Sequence, residues 1–125
     1  MSFNPQLMIG TWYGELSSDP SKNSIFRVLD DLSYVSFAED TRPDARRKWL
    51  PMLLWGSMEE ENVYRLRPTR DHEGWTRQVT FDGETLVFRT VEPEHKEWRC
   101  RRLLDAEIPE WFESEVEARL SRLRK

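Results

Sequence analysis

The chain has 125 residues, a formal net charge of −4 at pH 7 and 34% charged residues. This length is typical of a single domain, predicted to span residues 1–125, and it allows a core that needs no disulfide. Six Trp, six Phe and three Tyr supply concentrated apolar surface, which favours an ordered fold over disorder. The acidic balance gives no overall attraction to nucleic acid or to an anionic membrane, so we expect neither as a partner.

Cysteine usage and the start of the chain favour a reducing, cytoplasmic location. Cys100 is the only cysteine, which rules out an intramolecular disulfide. The opening residues MSFNPQ lack the basic and apolar regions of a signal peptide. The longest apolar run, LPMLLW at 50–55, is far shorter than the roughly 20 residues of a membrane-spanning helix. We therefore expect a cytoplasmic protein without a membrane span.

Short segments rich in aromatic and β-branched residues alternate with turn-forming clusters such as SSDPSKN at 17–23 and EDTRPD at 39–44. This pattern is typical of an all-β sandwich or barrel made of consecutive hairpins. The predicted strands lie at about 8–16, 24–30, 33–39, 48–58, 62–67, 74–81, 85–91 and 96–103. Connections this short leave no room for helical crossovers, so the sheet is predicted to be antiparallel.

Two hairpins are the most distinct. In WTRQVTFDGETLVFRTV, Asp82 and Gly83 separate two alternating strands, and glycine accepts the positive φ of a tight turn without steric cost. In FRVLDDLSYVSFAE, Asp30 and Asp31 predict a looser turn because neither is a glycine.

After Leu104 the periodicity changes from that of a strand to that of a helix, predicted over 108–124. The apolar residues of IPEWFESEVEARLSRLRK recur every three or four positions, at Ile108, Phe112, Val116, Leu120 and Leu123. Acidic residues near the start of this segment and basic residues near its end match the helix dipole.

Alternation along the strands assigns two arginines to the same faces as core residues. Arg77 shares a face with Trp75 and Val79, and Arg102 shares a face with Trp98. A buried guanidinium keeps its charge and needs a carboxylate or an anionic ligand. The alternative is that each arginine lies near a strand end and reaches water, its stem covering apolar surface.

Aromatic residues with a polar tip are the other candidates for a ligand site, although most such residues are amphipathic wall positions. The predicted ligand-binding residues are Arg77, Arg102, Tyr34, Tyr64, Trp75 and Trp98.

The stretch IGTWYGEL near the start of the chain carries a resemblance to a known family. Gly10-Thr11-Trp12 matches a Gly-x-Trp signature, and WRCRR on the last predicted strand offers Arg99 or Arg101 as a basic residue to pack on Trp12. With these residues the chain resembles the calycin superfamily, in particular the lipocalin-like proteins. The resemblance implies an up-and-down barrel of about eight strands over 8–104, closed at one end by Trp12, with a C-terminal helix outside. Gly10 and Gly14 are expected to let a bent first strand pass close to neighbouring backbone.

The resemblance implies a non-enzymatic protein that binds a small amphipathic molecule. The inward arginines would favour a molecule that carries a negative charge. A barrel of this size can instead be filled by its own side chains. In that case we expect a solid module for protein–protein interaction, with a homodimer or another protein as the partner. Catalysis inside the barrel is a third alternative, and it requires a titratable group of perturbed pKa at the cavity floor.

Metal and cofactor motifs receive little support. The candidate metal ligands, Asp71-His72-Glu73 and His95 with Glu94 and Glu97, fall mainly in predicted turns without a recognised ligand spacing. No Gly-x-Ser-x-Gly and no glycine-rich phosphate loop occurs. Cys100 is predicted to be a small buried apolar residue, and the basic cluster TRPDARRKW at 41–49 a solvated face. We expect no metal and no cofactor.

Overall fold

The chain folds into a closed eight-stranded barrel followed by one α-helix. The structure, a computed structural model, describes residues 4–39, 43–44, 49–90 and 95–123. A short 3-10 helix at Pro5–Met8 comes before the barrel, and a second at Asp105–Glu107 comes after it. The strands are β1 (Gly10–Leu16), β2 (Asp19–Val28), β3 (Tyr34–Glu39), β4 (Trp49–Glu60), β5 (Val63–Arg67), β6 (Trp75–Asp82), β7 (Thr85–Thr90) and β8 (Lys96–Arg102), and the helix is α1 (Glu110–Leu123).

Each strand pairs antiparallel with the next one along the chain, and β8 pairs with β1 to close the barrel. The prediction of a mainly-β, antiparallel up-and-down barrel with a C-terminal helix is therefore confirmed. We call the end at which β1 begins and β8 ends the closed end, and the end at which β1 ends and β2 begins the open end. No helix in the described part of the chain is long and apolar enough to cross a membrane.

The first hairpin differs from the prediction of a long turn at 17–23. The turn contains only Ser17 and Ser18, and β2 already begins at Asp19, which pairs with Leu16 across a register shift. The Asp19 carboxylate accepts hydrogen bonds from both the backbone N–H (3.2 Å) and the hydroxyl (2.6 Å) of Ser21. The strand therefore begins within a segment whose composition resembles that of a loop, and its polar residues are hydrogen-bonded locally.

Positive φ angles mark both predicted hairpin turns, the tight one at Gly83 and the looser one after Asp31. Gly83 has φ 63° and forms a two-residue turn with Glu84, while Asp82 belongs to β6 and pairs with Thr85. In the β2–β3 turn the positive φ falls on Leu32, at 68°, a conformation that is uncommon for a residue with a side chain. The turn after Asp31 is therefore irregular, as expected for a sequence without glycine.

Two apolar clusters lie on opposite sides of the barrel wall. The inner cluster fills much of the barrel, and the outer cluster lies between β2, β3 and α1. Phe112 and Val116 of α1 are buried against Phe37 and other outward residues, which confirms the predicted apolar face of the helix. The side chain of Leu123, also predicted there, lies outside the described residues.

The outer cluster also includes Trp49 and Trp111, the two tryptophans nearest to the basic segments. Their ring centroids lie 5.8 Å apart, and Trp111 packs edge-on against Phe37. The helix is further held by Arg27 of β2, whose guanidinium donates to the Glu113 carboxylate at 2.8 Å. These tryptophans therefore join the helix to the barrel wall.

Candidate ligand site in the barrel

Trp12 lies at the centre of the closed end. It is 1% exposed, and its indole N–H donates to the carbonyl of Met8 at 2.8 Å. The Arg102 guanidinium covers the ring at 4.3 Å and donates to the carbonyls of Ile9 (3.0 Å) and Leu7 (2.8 Å). These contacts join the first and last strands and the N-terminal 3-10 helix, so the end is closed by stacking and hydrogen bonding together.

The basic residue on Trp12 is therefore Arg102, not Arg99 or Arg101. The β1–β8 register sets Trp12 directly opposite Arg102, and Arg101 points to the other face of the sheet. Arg99 pairs with Asp82 at 2.6 Å, outside the barrel. Arg101 lies over the ring of Tyr13 and also pairs with Glu107 at 2.7 Å.

Both glycines of IGTWYGEL stand where a side chain would clash, but the close neighbours are side chains and not backbone. Gly10 has φ 138°, and a Cβ at this position would overlap the Arg102 guanidinium. A Cβ on Gly14 would lie 2.8 Å from the Cys100 sulfur and 3.3 Å from the ring of Phe26. Gly14 therefore keeps space open inside the barrel.

A cavity of about 300 Å³ lies in the open half of the barrel. Its apolar wall includes Phe26, Leu54, Phe88 and Trp98. The exposed residues Lys22 and Met52 border it, which places its mouth at the open end. The full set of residues around the cavity is Gly14, Lys22, Asn23, Ser24, Phe26, Tyr34, Ser36, Ala38, Glu39, Met52, Leu54, Arg77, Phe88, Trp98 and Cys100.

Arg77 is the cationic group inside this cavity. Its guanidinium lies 4.5 Å from the ring centre of Trp98 and 5.9 Å from that of Phe88. Its Nε atom is buried and has no hydrogen-bond partner among the described residues. None of the carboxylates in the described part of the chain forms a salt bridge with it. Aromatic faces attract its charge but cannot accept its N–H groups in the way an oxygen does.

The titratable neighbours of Arg77 stay neutral near pH 7. Burial raises the pKa of the Tyr34 hydroxyl, although the charge of Arg77 acts to lower it. Burial likewise raises the pKa of Tyr64, and it raises the pKa of the Cys100 thiol to about 12. Glu39 borders the cavity but shares the outer face with Tyr13, on which its charge acts. The guanidinium charge is therefore not balanced by any of these groups.

A group of three hydroxyls, the hydroxyl cluster, provides further polar surface in the cavity. The cluster consists of the hydroxyls of Ser24, Tyr34 and Ser36, which all line the cavity. Tyr34 and Ser36 are 7% and 5% exposed, so the cluster lies within the wall and not at its rim. The raised pKa values of Tyr34 and Cys100 make both groups poor bases and poor nucleophiles near pH 7.

The structure brings together three of the six predicted ligand-binding residues, Arg77, Tyr34 and Trp98. Tyr64 is buried beneath them, donates its hydroxyl to the Leu32 carbonyl and packs on Phe88. Trp75, predicted to face inward, begins β6 opposite Leu66, is 38% exposed and does not line the cavity.

Arg102, also predicted as a ligand contact, belongs to the closed end and does not line the cavity. Sequence reasoning missed Ser24 and Ser36. Alternation was the available signal, since Ser24 shares a face with Phe26, and Ser36 shares a face with Tyr34.

The predicted turns with metal-ligand residues hold no metal-binding arrangement in the described part of the chain. His72 accepts the backbone N–H of Gly74 through Nδ1 at 2.8 Å, and Glu97 pairs with Arg89 at 2.7 Å. Glu94 lies outside the described residues.

Comparisons of the chain with protein-family models, with curated proteins and with solved structures find no match. Its eight-stranded antiparallel barrel and C-terminal helix fit a calycin-like fold.

Proposed function

We propose that this protein is a non-enzymatic, lipocalin-like binding protein that holds a small amphipathic anion in the open half of its barrel. The observation that carries the proposal is the guanidinium of Arg77 beside a largely apolar cavity, since its buried Nε has no hydrogen-bond partner in the described part of the chain. Removing a cation from water is costly, and an anionic ligand group would offset that cost by accepting its hydrogen bonds.

The size and lining of the cavity support a small ligand. Ligand cavities in proteins usually measure roughly 300–1,000 Å³ and combine apolar walls with a few polar groups. This cavity, at about 300 Å³, falls at the lower limit. Its aromatic wall suits a compact apolar body, and Arg77 suits a single negative charge.

The alternative, a solid barrel that serves as a protein–protein interaction module, receives less support. A solid barrel would have side chains in place of the cavity. The large apolar residues that are most exposed also lie at opposite ends, with Leu7 and Leu104 near the closed end and Leu50 and Met52 near the open end. Among the described residues, these two pairs at opposite ends do not combine into one large docking patch.

The proposal can be tested by isothermal titration calorimetry with 1-anilinonaphthalene-8-sulfonate, an anionic amphiphile of suitable size. We expect saturable 1:1 binding that weakens about tenfold or more in Arg77→Met, which is a loss of about 1.4 kcal/mol. Arg89→Met is the matched control, because Arg89 is an exposed arginine paired with Glu97 on the outside of β7. Absence of saturable binding to the wild type, or equal losses in the two variants, would contradict the proposal.

A further inference from the structure

The cavity has two polar parts, and both offer donors. One part is Arg77, whose buried Nε has no hydrogen-bond partner among the described residues. The other part is the hydroxyl cluster of Ser24, Tyr34 and Ser36. Arg77 and the three hydroxyl residues line the same cavity, so the two parts face a common space.

The hydroxyl cluster can donate to a ligand. Each of its three hydroxyls carries one hydrogen, and all three residues line the cavity. Burial keeps the phenol of Tyr34 protonated, so the cluster remains a donor near pH 7.

The position of these groups also bears on the orientation of a ligand in the cavity. Tyr34 and Ser36 are buried, whereas Leu50 and Met52 are 43% and 48% exposed. Leu50 and Met52 share the inner face of β4 with Leu54 and lie at the open end. The hydroxyls of Tyr34 and Ser36 and the Nε atom of Arg77 are therefore buried inside the cavity. The mouth combines the apolar side chains of Leu50 and Met52 with the exposed Lys22.

We infer that the hydroxyl cluster and Arg77 form one oxyanion subsite, which holds the carboxylate, sulfonate or sulfate group of the ligand inside the barrel. The ligand then enters with its charged group first, and its apolar body lies against Met52 and Leu50 at the mouth. The guanidinium supplies charge and N–H donors, and the cluster supplies the additional O–H donor. This inference rests on the proposed function and adds the head group and the orientation of the ligand.

The head group can be tested with two probes that share one apolar body. N-phenyl-1-naphthylamine has the rings of 1-anilinonaphthalene-8-sulfonate without the sulfonate. We expect the wild type to bind the sulfonate at least about tenfold more tightly. Tyr34→Phe should weaken binding of the sulfonate about fivefold and leave the affinity for the uncharged probe unchanged. Ser36→Ala should have the same effect to a smaller degree, because each substitution removes one hydroxyl donor.

Tyr64→Phe is the matched control for Tyr34→Phe. It removes the hydroxyl of another buried tyrosine, one that donates to the Leu32 carbonyl and does not line the cavity. We expect both probes to keep their wild-type affinities in this variant. If both probes bind the wild type equally, or if the two tyrosine variants weaken the sulfonate equally, the oxyanion subsite is wrong although the binding function stands. If neither probe binds the wild type, the proposed function fails and this inference fails with it.

The orientation can be tested by NMR with methionine methyl groups labelled with ¹³C. Met52 lies at the mouth, whereas Met8 is buried at the closed end. We expect nuclear Overhauser effects from the aromatic protons of bound 1-anilinonaphthalene-8-sulfonate to the Met52 methyl group and none to Met8. Their absence at Met52 would contradict the head-first orientation.

Discussion

The two inward arginines, Arg102 and Arg77, each stack on a tryptophan but differ in their hydrogen-bond partners. Arg102 lies 4.3 Å from the ring centre of Trp12, and Arg77 lies 4.5 Å from that of Trp98. Arg102 donates to two backbone carbonyls, whereas Nε of Arg77 has no acceptor among the described residues. Stacking therefore does not separate the two arginines, whereas their hydrogen-bond partners do. The closed end satisfies its own arginine, and the open end leaves Nε of Arg77 without an acceptor among the described residues.

The largest expected difference concerns the two tryptophans below these arginines. Trp12→Ala should lower the free energy of unfolding by about 4 kcal/mol, because it leaves a buried void and frees the Met8 carbonyl. Trp98→Ala should cost about 2 kcal/mol or less, since Trp98 is only half-buried and already borders empty space. Urea denaturation of both variants measures this difference, and equal losses would show that the open end is packed as tightly as the closed end.

The arginines themselves should differ in the same direction. Arg102→Met should destabilise the fold by about 2 kcal/mol, because two carbonyls and the face of Trp12 lose their partner. Arg77→Met should change stability by less than about 0.5 kcal/mol, because it replaces a cation that has no acceptor by an apolar side chain of similar length. Thermal unfolding without ligand is the measurement. A loss on Arg77→Met as large as that on Arg102→Met would mean that Arg77 is structural.

Alkaline pH tests whether the surroundings of Arg77 remain neutral. The thiol of Cys100 has its pKa raised from the ordinary 9.0 to about 12 by burial, despite the nearby guanidinium. Between these pH values the unfolded chain releases the thiol proton and the folded chain keeps it, so stability falls as the pH rises. From pH 8 to pH 10 the wild type should lose about 1.4 kcal/mol more than Cys100→Ala, measured by urea denaturation. Parallel losses in the two proteins would show that Arg77 stabilises a thiolate.

Alternation along β6 and β8 was sufficient to place Arg77 and Arg102 on the inner face, because a strand has a fixed period of two. Alternation could not tell which of the two arginines has hydrogen-bond acceptors in the folded protein. The acceptors of Arg102 are the carbonyls of Leu7 and Ile9, which lie more than ninety residues away in a segment predicted in part as strand.

The register between β1 and β8 was the second feature that could not be predicted from the sequence. The Gly-x-Trp resemblance correctly indicated that a basic residue of WRCRR covers Trp12, but not which one. Choosing Arg99 or Arg101 reverses the face, because a shift of one residue moves a side chain to the other side of the sheet. Ser24 and Ser36 were overlooked for a different reason: alternation places them on the inner face, but an isolated serine there does not indicate a cavity until its neighbours in space are known.

The smallest expected effect lies at the two glycines of the first strand. Gly14→Ala should destabilise the fold by about 1 kcal/mol, because its Cβ would meet the Cys100 sulfur at 2.8 Å. In a Cys100→Ala background the same substitution should cost less than about 0.5 kcal/mol, since the clash with sulfur is gone. Gly10→Ala should not be rescued in this way, because its φ of 138° disfavours any side chain. The measurement is the unfolding free energy of Gly14→Ala, Gly10→Ala, Cys100→Ala and the two double variants that carry Cys100→Ala. If Cys100→Ala reduces the destabilisation by Gly10→Ala as much as that by Gly14→Ala, the closed end is not more constrained than the open half of the barrel.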